Sequence, residues 1–201
     1  MALAKRVTLS ASDPRWGAIF RAEKARLEAG LAPYLLAVEH IGSTAVPGLA
    51  AKATIDMLAG IYLLADAPRC IPRMRALGYE YVPEFEKDIP ERRYFRIRAP
   101  GEREAEDTFH VHMVEVGSDF WERDLLFRDF LRAHPERAAE YEALKRDLAA
   151  RVGEDRIAYT DGKAAFVRKA QADARAERSA AAGRAALTAR AGAGAAPPRP
   201  Q

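Results

Sequence analysis

The chain has 201 residues, of which 49% are hydrophobic and 30% charged, and a formal net charge of +3. This length and composition are typical of an ordinary soluble protein with one full-sized core. The single cysteine, Cys70, excludes an internal disulfide and favours a reducing, cytoplasmic compartment. No apolar run reaches the about 18 residues that a membrane helix needs, so we expect no membrane span. No long apolar region follows Lys5 and Arg6, so we expect no signal peptide.

The positive charge lies near the C-terminus. After residue 171 there are five arginines against two acidic residues, which accounts for the whole excess. Residues 1–171 are neutral overall, so we do not expect nucleic acid as a partner of the folded body. We interpret residues 1–171 as one domain and residues 172–201, rich in Ala, Arg and Pro, as a tail that is partly helical and, after Gly183, disordered.

The first part of the chain predicts one helix and two strands. Residues 13–30 form the helix, with Asp13 as its N-cap and Gly30 at its end. Residues 34–41 and 54–62 are nearly continuous apolar runs, typical of strands that are covered on both faces.

A second helix and three further strands follow. Asp66 begins the helix, which ends at Gly78, and a short strand covers residues 79–82. Residues 92–98 and 107–116 form two strands joined by a long polar connection, which indicates a hairpin.

Three helices complete the predicted order. Ser118 caps a helix that runs to about Ala133, Pro135 begins one that ends near Val152, and Thr160 begins the last. The sequence thus predicts an α/β (α+β) fold, in which a mixed sheet carries packed helices and a helical C-terminal portion follows.

The segment between the two apolar strands, HIGSTAVPGLAAKATIDML at residues 40–58, carries the main functional signal. Gly42 allows close approach of the backbone to a ligand, and Ser43 directs a hydroxyl and an N–H to the same place. Asp56 is an ionisable group within an apolar run, where it is either paired or functional because burying it alone is costly. A plain turn between two strands is the alternative interpretation.

This segment resembles the signature of the GrpB family, which is placed in the nucleotidyltransferase superfamily. Five later segments share the resemblance: YFR at 94–96, HVH at 110–112, LFRDFL at 126–131, Tyr141 with Leu144 and Lys145, and YTDGK at 159–163. The resemblance covers about residues 10–171. It implies a nucleotidyltransferase-like core and, as ligand, a nucleotide or another phosphorylated small molecule.

The resemblance also implies a mechanism. Related nucleotidyltransferases hold a phosphate at a Gly-Ser turn, and two carboxylates at alternate positions of the next strand hold Mg²⁺. Asp56 occupies the first of these positions, whereas Leu58 occupies the second. Three functions follow: transfer of a nucleotidyl or phosphoryl-type group to a small acceptor; a non-catalytic nucleotide- or coenzyme A-precursor-binding module, like the domain fused to dephospho-coenzyme A kinase; or an interaction protein that retains the fold.

Two histidines are candidates to replace the missing acid. His110 and His112 are two residues apart on a predicted strand, so their side chains share a face. If this strand lies next to that of Asp56, the three side chains are candidate catalytic residues and ligands of a divalent metal, Mg²⁺, Mn²⁺ or Zn²⁺. Alternatively, one histidine is a general base, or both are hydrogen-bonded and inert.

Several residues are candidate phosphate contacts. Lys52 lies between the Gly-Ser turn and Asp56, Arg96 belongs to a basic row on one strand face, and Lys163 lies at a predicted helix start. A solvated side chain is the alternative at each position. The full predicted set is Gly42, Ser43, Thr44, Lys52, Arg96 and Lys163.

Overall fold

A computed structural model describes residues 8–98 and 107–193. Within these residues the α-helices are α1 (Trp16–Leu31), α2 (Ala67–Ala76), α3 (Asp119–Ala133), α4 (Pro135–Val152) and α5 (Arg156–Ala193). The strands are β1 (Leu35–Ile41), β2 (Ile55–Ile61), β3 (Glu80–Tyr81), β4 (Arg93–Arg98) and β5 (Asp107–Glu115). The predicted α+β architecture is confirmed. The polar connection predicted between β4 and β5 lies outside the described residues.

The strands form one mixed sheet in the order β1-β2-β5-β4-β3. The central pair, β2 and β5, is parallel, and the other neighbours are antiparallel. The parallel register places Asp56 opposite His110 and Leu58 opposite His112. The strand of the two histidines is therefore the direct neighbour of the strand that carries the acid.

The two faces of the sheet differ in what covers them. On one face α1 and α2 pack on side chains such as Met57 and Val111, in a continuous apolar core. On the opposite face one end is sealed by an apolar cluster that contains Leu58, Phe120 and Trp121. The other end of that face, at Asp56, is polar.

Helix starts follow the local capping chemistry. Ser118 accepts a hydrogen bond from the N–H of Trp121 at 3.3 Å, so the predicted N-cap of α3 is confirmed. Asp13, the predicted N-cap, caps the turn before α1 rather than α1 itself: its carboxylate accepts the backbone N–H of Arg15 at 2.8 Å and also binds the guanidinium of that residue. This local turn delays the start of α1 to Trp16.

The last helix is longer than predicted at both ends. It begins at Arg156 rather than Thr160, because the carboxylate of Asp155 accepts the N–H groups of Ile157 and Ala158 at 3.1 and 2.9 Å. It continues to Ala193, past residue 183, after which the sequence predicts disorder; this is consistent with the helix preference of its many Ala and Arg residues. None of the helices in residues 8–98 and 107–193 is long and apolar enough to cross a bilayer.

Candidate functional site

A cavity of about 240 Å³ opens at the polar end of the sheet. Its walls come from the segment after β1, from β2 and β5, and from the two C-terminal helices. The lining residues are Leu9, Ser43, Thr44, Ala51, Lys52, Thr54, Asp56, His110, Lys145, Tyr159, Thr160 and Lys163. The cavity thus joins the Gly-Ser turn and the lone acid, as the sequence predicts, with a group of lysines.

Gly42 brings the turn into contact with the acid. Its φ of 71° is a conformation that side chains other than glycine rarely adopt. A Cβ at this position would lie 2.6 Å from Oδ2 of Asp56. The glycine therefore sets both the turn and its distance from the carboxylate, and a 3₁₀ turn at Ser43–Ala45 follows directly.

Asp56 and His110 form a hydrogen-bonded pair. His110 Nδ1 lies 2.9 Å from Asp56 Oδ1, and the side chains are 20% and 30% exposed, respectively. Burial alone would raise the pKa of Asp56, but the His110 hydrogen bond and nearby positive charges such as Lys163 outweigh it and lower that pKa. Asp56 is therefore a carboxylate at neutral pH, and it orients the imidazole of His110.

His112 is in a different environment. Its Nδ1 lies 2.9 Å from Nη1 of Arg92, and its ring packs against Tyr94 and Phe120. Burial and then the adjacent guanidinium lower the pKa of His112 to about 3, so the ring is neutral and accepts a hydrogen bond from Arg92. His112 does not line the cavity.

The predicted three-ligand metal site is not assembled. In the described parts of the chain, no three His, Cys, Asp or Glu side chains are placed to hold an ion. Leu58 is fully buried in the apolar cluster, so no carboxylate replaces the second acid there. These residues do not fit a two-carboxylate Mg²⁺ site. Metal binding by Asp56 and His110 stays a prediction.

Three lysines line the same cavity as the carboxylate. Lys145 is 2% exposed and donates hydrogen bonds to Ser43 Oγ, at 3.0 Å, and to the carbonyl of Ala50. Burial, and then the charge of Lys163, lowers the pKa of Lys145 to about 8. Burial also lowers the pKa of Lys163, although Asp56 opposes this, and its Nζ lies 4.4 Å from the centre of the Tyr159 ring. Lys52 completes the group.

Thr44 holds the turn in place through hydrogen bonds of its hydroxyl. Its hydroxyl donates to the carbonyl of Thr54 at 3.2 Å and lies 3.0 Å from Nε2 of His40. Burial, followed by the charge of Arg132, lowers the pKa of His40 to about 4, so this imidazole is neutral. Both hydrogen bonds of the Thr44 hydroxyl therefore stabilise the segment that carries Ser43.

Arg96 lies outside the cavity lining. Its guanidinium makes two hydrogen bonds, of 2.8 and 3.0 Å, with the carboxylate of Glu80. Arg98 Nε is 3.8 Å from the same carboxylate, and Arg92 contacts His112. The predicted basic row is therefore engaged by groups of the sheet itself.

Sequence reasoning assigned no role at the site to two side chains of α4 and one of α3. Tyr141 is buried among apolar helix side chains but is also hydrogen-bonded to Ser43, and Lys145 lies one turn further along the same face. The signal was this i, i+4 spacing of two polar tips among apolar positions. Asp124 on α3 is half-buried, which raises its pKa, and it interacts electrostatically with Asp56.

Comparison with known proteins bears on the family and the fold of the chain. The model of the GrpB protein family matches residues 6–173. A crystal structure of the conserved protein GrpB from Enterococcus faecalis superposes with a TM-score of 0.73 at 34% identity, covering 85% of this chain and 99% of that one.

Two sequence relatives are longer than this chain. UPF0157 protein YqkA of Bacillus subtilis is 39% identical over 171 residues, which is 85% of this chain but 48% of YqkA. Dephospho-CoA kinase of Mycolicibacterium paratuberculosis is 30% identical over 187 residues, 82% of this chain and 45% of the kinase. The chain spans about half the length of each of these relatives. Given a family match over most of its length and a shared fold, the chain belongs to the GrpB family.

Proposed function

We propose that the cavity binds a phosphorylated small molecule, a nucleotide being the first candidate, and that Asp56 and His110 move a proton while its phosphoryl or nucleotidyl group passes to a small acceptor. One observation carries the proposal. Three lysines and Ser43 line the same cavity as the hydrogen-bonded Asp56–His110 pair.

The charge balance of the cavity favours an anionic ligand. Three lysines face a single lining carboxylate, and two of them, Lys145 and Lys163, have a lowered pKa because burial disfavours their charge. A bound phosphate would stabilise the protonated form of these two lysines, since a buried charge needs a partner of opposite sign. Ser43 adds a hydroxyl at the same wall.

The pair supplies the proton chemistry. With the Nδ1–H of His110 donated to Asp56, Nε2 is the nitrogen that accepts a proton. In the proposed step an acceptor hydroxyl gives its proton to Nε2 while its oxygen forms a bond to phosphorus. The bond from phosphorus to the leaving oxygen breaks, and the leaving phosphate departs as an anion next to the lysines.

A second candidate is a binding module without catalysis, for a nucleotide or a coenzyme A precursor. Leu58 favours it, because its burial in the apolar cluster removes the second acid of the nucleotidyltransferase pattern. The similarity to a dephospho-CoA kinase points to a phosphorylated coenzyme precursor as the ligand of such a module. Both candidates require the cationic cavity and differ in whether the ligand is chemically changed.

Binding is tested by the thermal unfolding of the full chain with ATP, CTP, GTP or dephospho-coenzyme A, each with and without Mg²⁺, Mn²⁺ or Zn²⁺. We expect at least one of these ligands to raise the Tm and Lys163→Met to weaken its binding about tenfold, or about 1.4 kcal/mol. Lys169→Met is the matched control, because Lys169 is exposed and pairs with Asp173. Absence of a shift with all four ligands would contradict the proposal.

Catalysis is tested by ³¹P NMR of the bound ligand with a mixture of small alcohols and amines as acceptors. The enzyme proposal expects a slow change of the ligand that disappears in Asp56→Asn and His110→Gln, while both variants still bind. A ligand that binds and stays unchanged in every mixture would favour the module. A shift of Tm that needs a metal and is lost in Asp56→Asn would bear out the predicted metal ligand.

A further inference from the structure

The hydroxyl of Ser43 contacts two side chains of α4 at the wall of the cavity. Its Oγ lies 3.0 Å from Nζ of Lys145, and the side chain of Tyr141, one turn earlier on α4, is also hydrogen-bonded to it. Lys145 is nearly inaccessible to solvent, at 2% exposed. A hydroxyl that lines the cavity is thus hydrogen-bonded to a buried amine and to a phenol.

This amine is suited to act as a base. The charges that act on it come from Lys163, Glu142 and Arg146, and two of these three are positive. Together with burial, they bring the pKa of Lys145 to about 8, which leaves part of the amine neutral near pH 7.5. A neutral amine within hydrogen-bond distance of a serine hydroxyl can accept its proton and make the oxygen a nucleophile.

We propose that Ser43 is a nucleophile with Lys145 as its general base, and that it carries the transferred phosphoryl group as a transient serine ester. This deepens the proposed function and rests on it for the identity of the ligand. The group transfer then takes place in two displacements rather than one, both within the same cavity.

The two displacements balance as follows. In the first, a bond forms between Ser43 Oγ and phosphorus, the bond to the leaving oxygen breaks, and the hydroxyl proton passes to Nζ of Lys145. In the second, the acceptor hydroxyl gives its proton to His110 Nε2, its oxygen attacks phosphorus, and Ser43 Oγ departs and takes back the proton from Lys145. No oxidant, reductant or further reactant is needed.

A fluorophosphonate tests the nucleophile directly, because it forms a stable ester with an activated serine and releases fluoride. The full chain is incubated with the reagent, and the product is measured by intact mass and peptide mapping. We expect one adduct, on Ser43, formed at a rate that rises with pH through about 8 as Lys145 loses its proton. Ser43→Ala should give no adduct.

Two variants separate base catalysis from a structural role of the amine. Lys145→Met removes the amine, whereas Lys145→Arg keeps a positive charge and hydrogen-bond donors but cannot act as a base. We expect both to slow labelling at least tenfold, and the exposed Lys169→Met to leave the rate unchanged. Restoration of the rate by arginine would overturn the assignment of Lys145.

The outcomes also separate this inference from the proposed function. Absence of a Ser43 adduct in a protein whose Tm rises with phosphorylated ligands would overturn the nucleophile and leave ligand binding intact. A Ser43 adduct in a protein that responds to none of these ligands would support the nucleophile and contradict the proposed ligand class. If circular dichroism shows that neither Lys145 variant folds, a labelling rate of the unmodified chain that stays constant between about pH 6.5 and 9.5 would overturn the base.

Discussion

His110 and His112 lie on the same face of the same strand, yet they have different roles in the molecule. His110 faces Asp56 across the parallel pair of strands and lines the cavity. His112 faces Leu58, contacts Arg92 and packs against Phe120. The comparison teaches that the residue opposite on β2, rather than the histidine itself, determines which imidazole takes part in a site.

The two ends of this sheet face also differ in polarity and in access to solvent. Around His112 the apolar cluster of Leu58, Phe120 and Trp121 excludes water. Around His110 a cavity remains, and the Gly-Ser turn and three lysines contribute to its lining. We therefore expect changes at the apolar end to affect mainly stability, and changes at the polar end to affect ligand binding as well.

The largest effect is expected from introducing an acid at the apolar end. Leu58→Asp would restore the acid–apolar–acid pattern but place a carboxylate in a fully buried apolar cluster. Loss of the packed side chain together with burial of a polar group predicts a decrease of about 4 kcal/mol or more in the free energy of unfolding. Urea denaturation measures it.

Leu58→Met is the matched control, since it conserves volume and should cost less than about 1.5 kcal/mol. If Leu58→Asp were as stable as the parent and gained metal-dependent stabilisation, the apolar end would be part of an ion site after all. The contrast between the two histidines would then not hold.

A smaller effect is expected at the turn, where two glycines form a natural pair. Gly42 and Gly48 have φ of 71° and 80°, but an added Cβ meets Asp56 Oδ2 at 2.6 Å in the first case and nothing within 4 Å in the second. Gly48→Ala should therefore show the backbone strain alone, about 1–2 kcal/mol. Gly42→Ala adds the clash to a backbone conformation (φ 71°, ψ −172°) that is essentially restricted to glycine, for a total of roughly 3 kcal/mol or more.

The same pair separates stability from binding. Gly42→Ala should displace the carboxylate and lower the affinity for a phosphorylated ligand, measured by calorimetry, whereas Gly48→Ala should bind normally at a temperature where it is folded. Equal losses in both variants would mean that the contact between Gly42 and Asp56 has no part in the site.

These contrasts also show how far the sequence could predict the molecule. The strands, most helices and the placement of Ser43 and Asp56 in one cavity follow from apolar runs and a short connecting loop. The burial of His112 does not, because it depends on Leu58 across the sheet and on Phe120 of a later helix. Lys145 also escaped prediction, since its contact with Ser43 joins positions 102 residues apart, which no local pattern encodes.

A change of a single pH unit is expected to have the smallest effect. The pKa of His112 is about 3 in the folded protein and near 6.5 in the unfolded chain, so below pH 6.5 the unfolded chain binds a proton that the folded protein does not. Stability due to this group is thus complete above pH 6.5 and is lost as the pH falls toward 3, by at most about 1.4 kcal/mol per pH unit. His40, with a pKa of about 4, acts in the same direction.

His112→Gln isolates this contribution, because an amide can still accept a hydrogen bond from Arg92 but does not titrate between pH 4 and pH 7. We expect the free energy of unfolding of the variant to depend less on pH between about 6.5 and 4 than that of the parent. In NMR, the ring proton of His112 should show no titration midpoint above about pH 4 in the folded protein. A midpoint near 6.5 would mean that this imidazole is open to solvent, and the distinction between the two histidines would disappear.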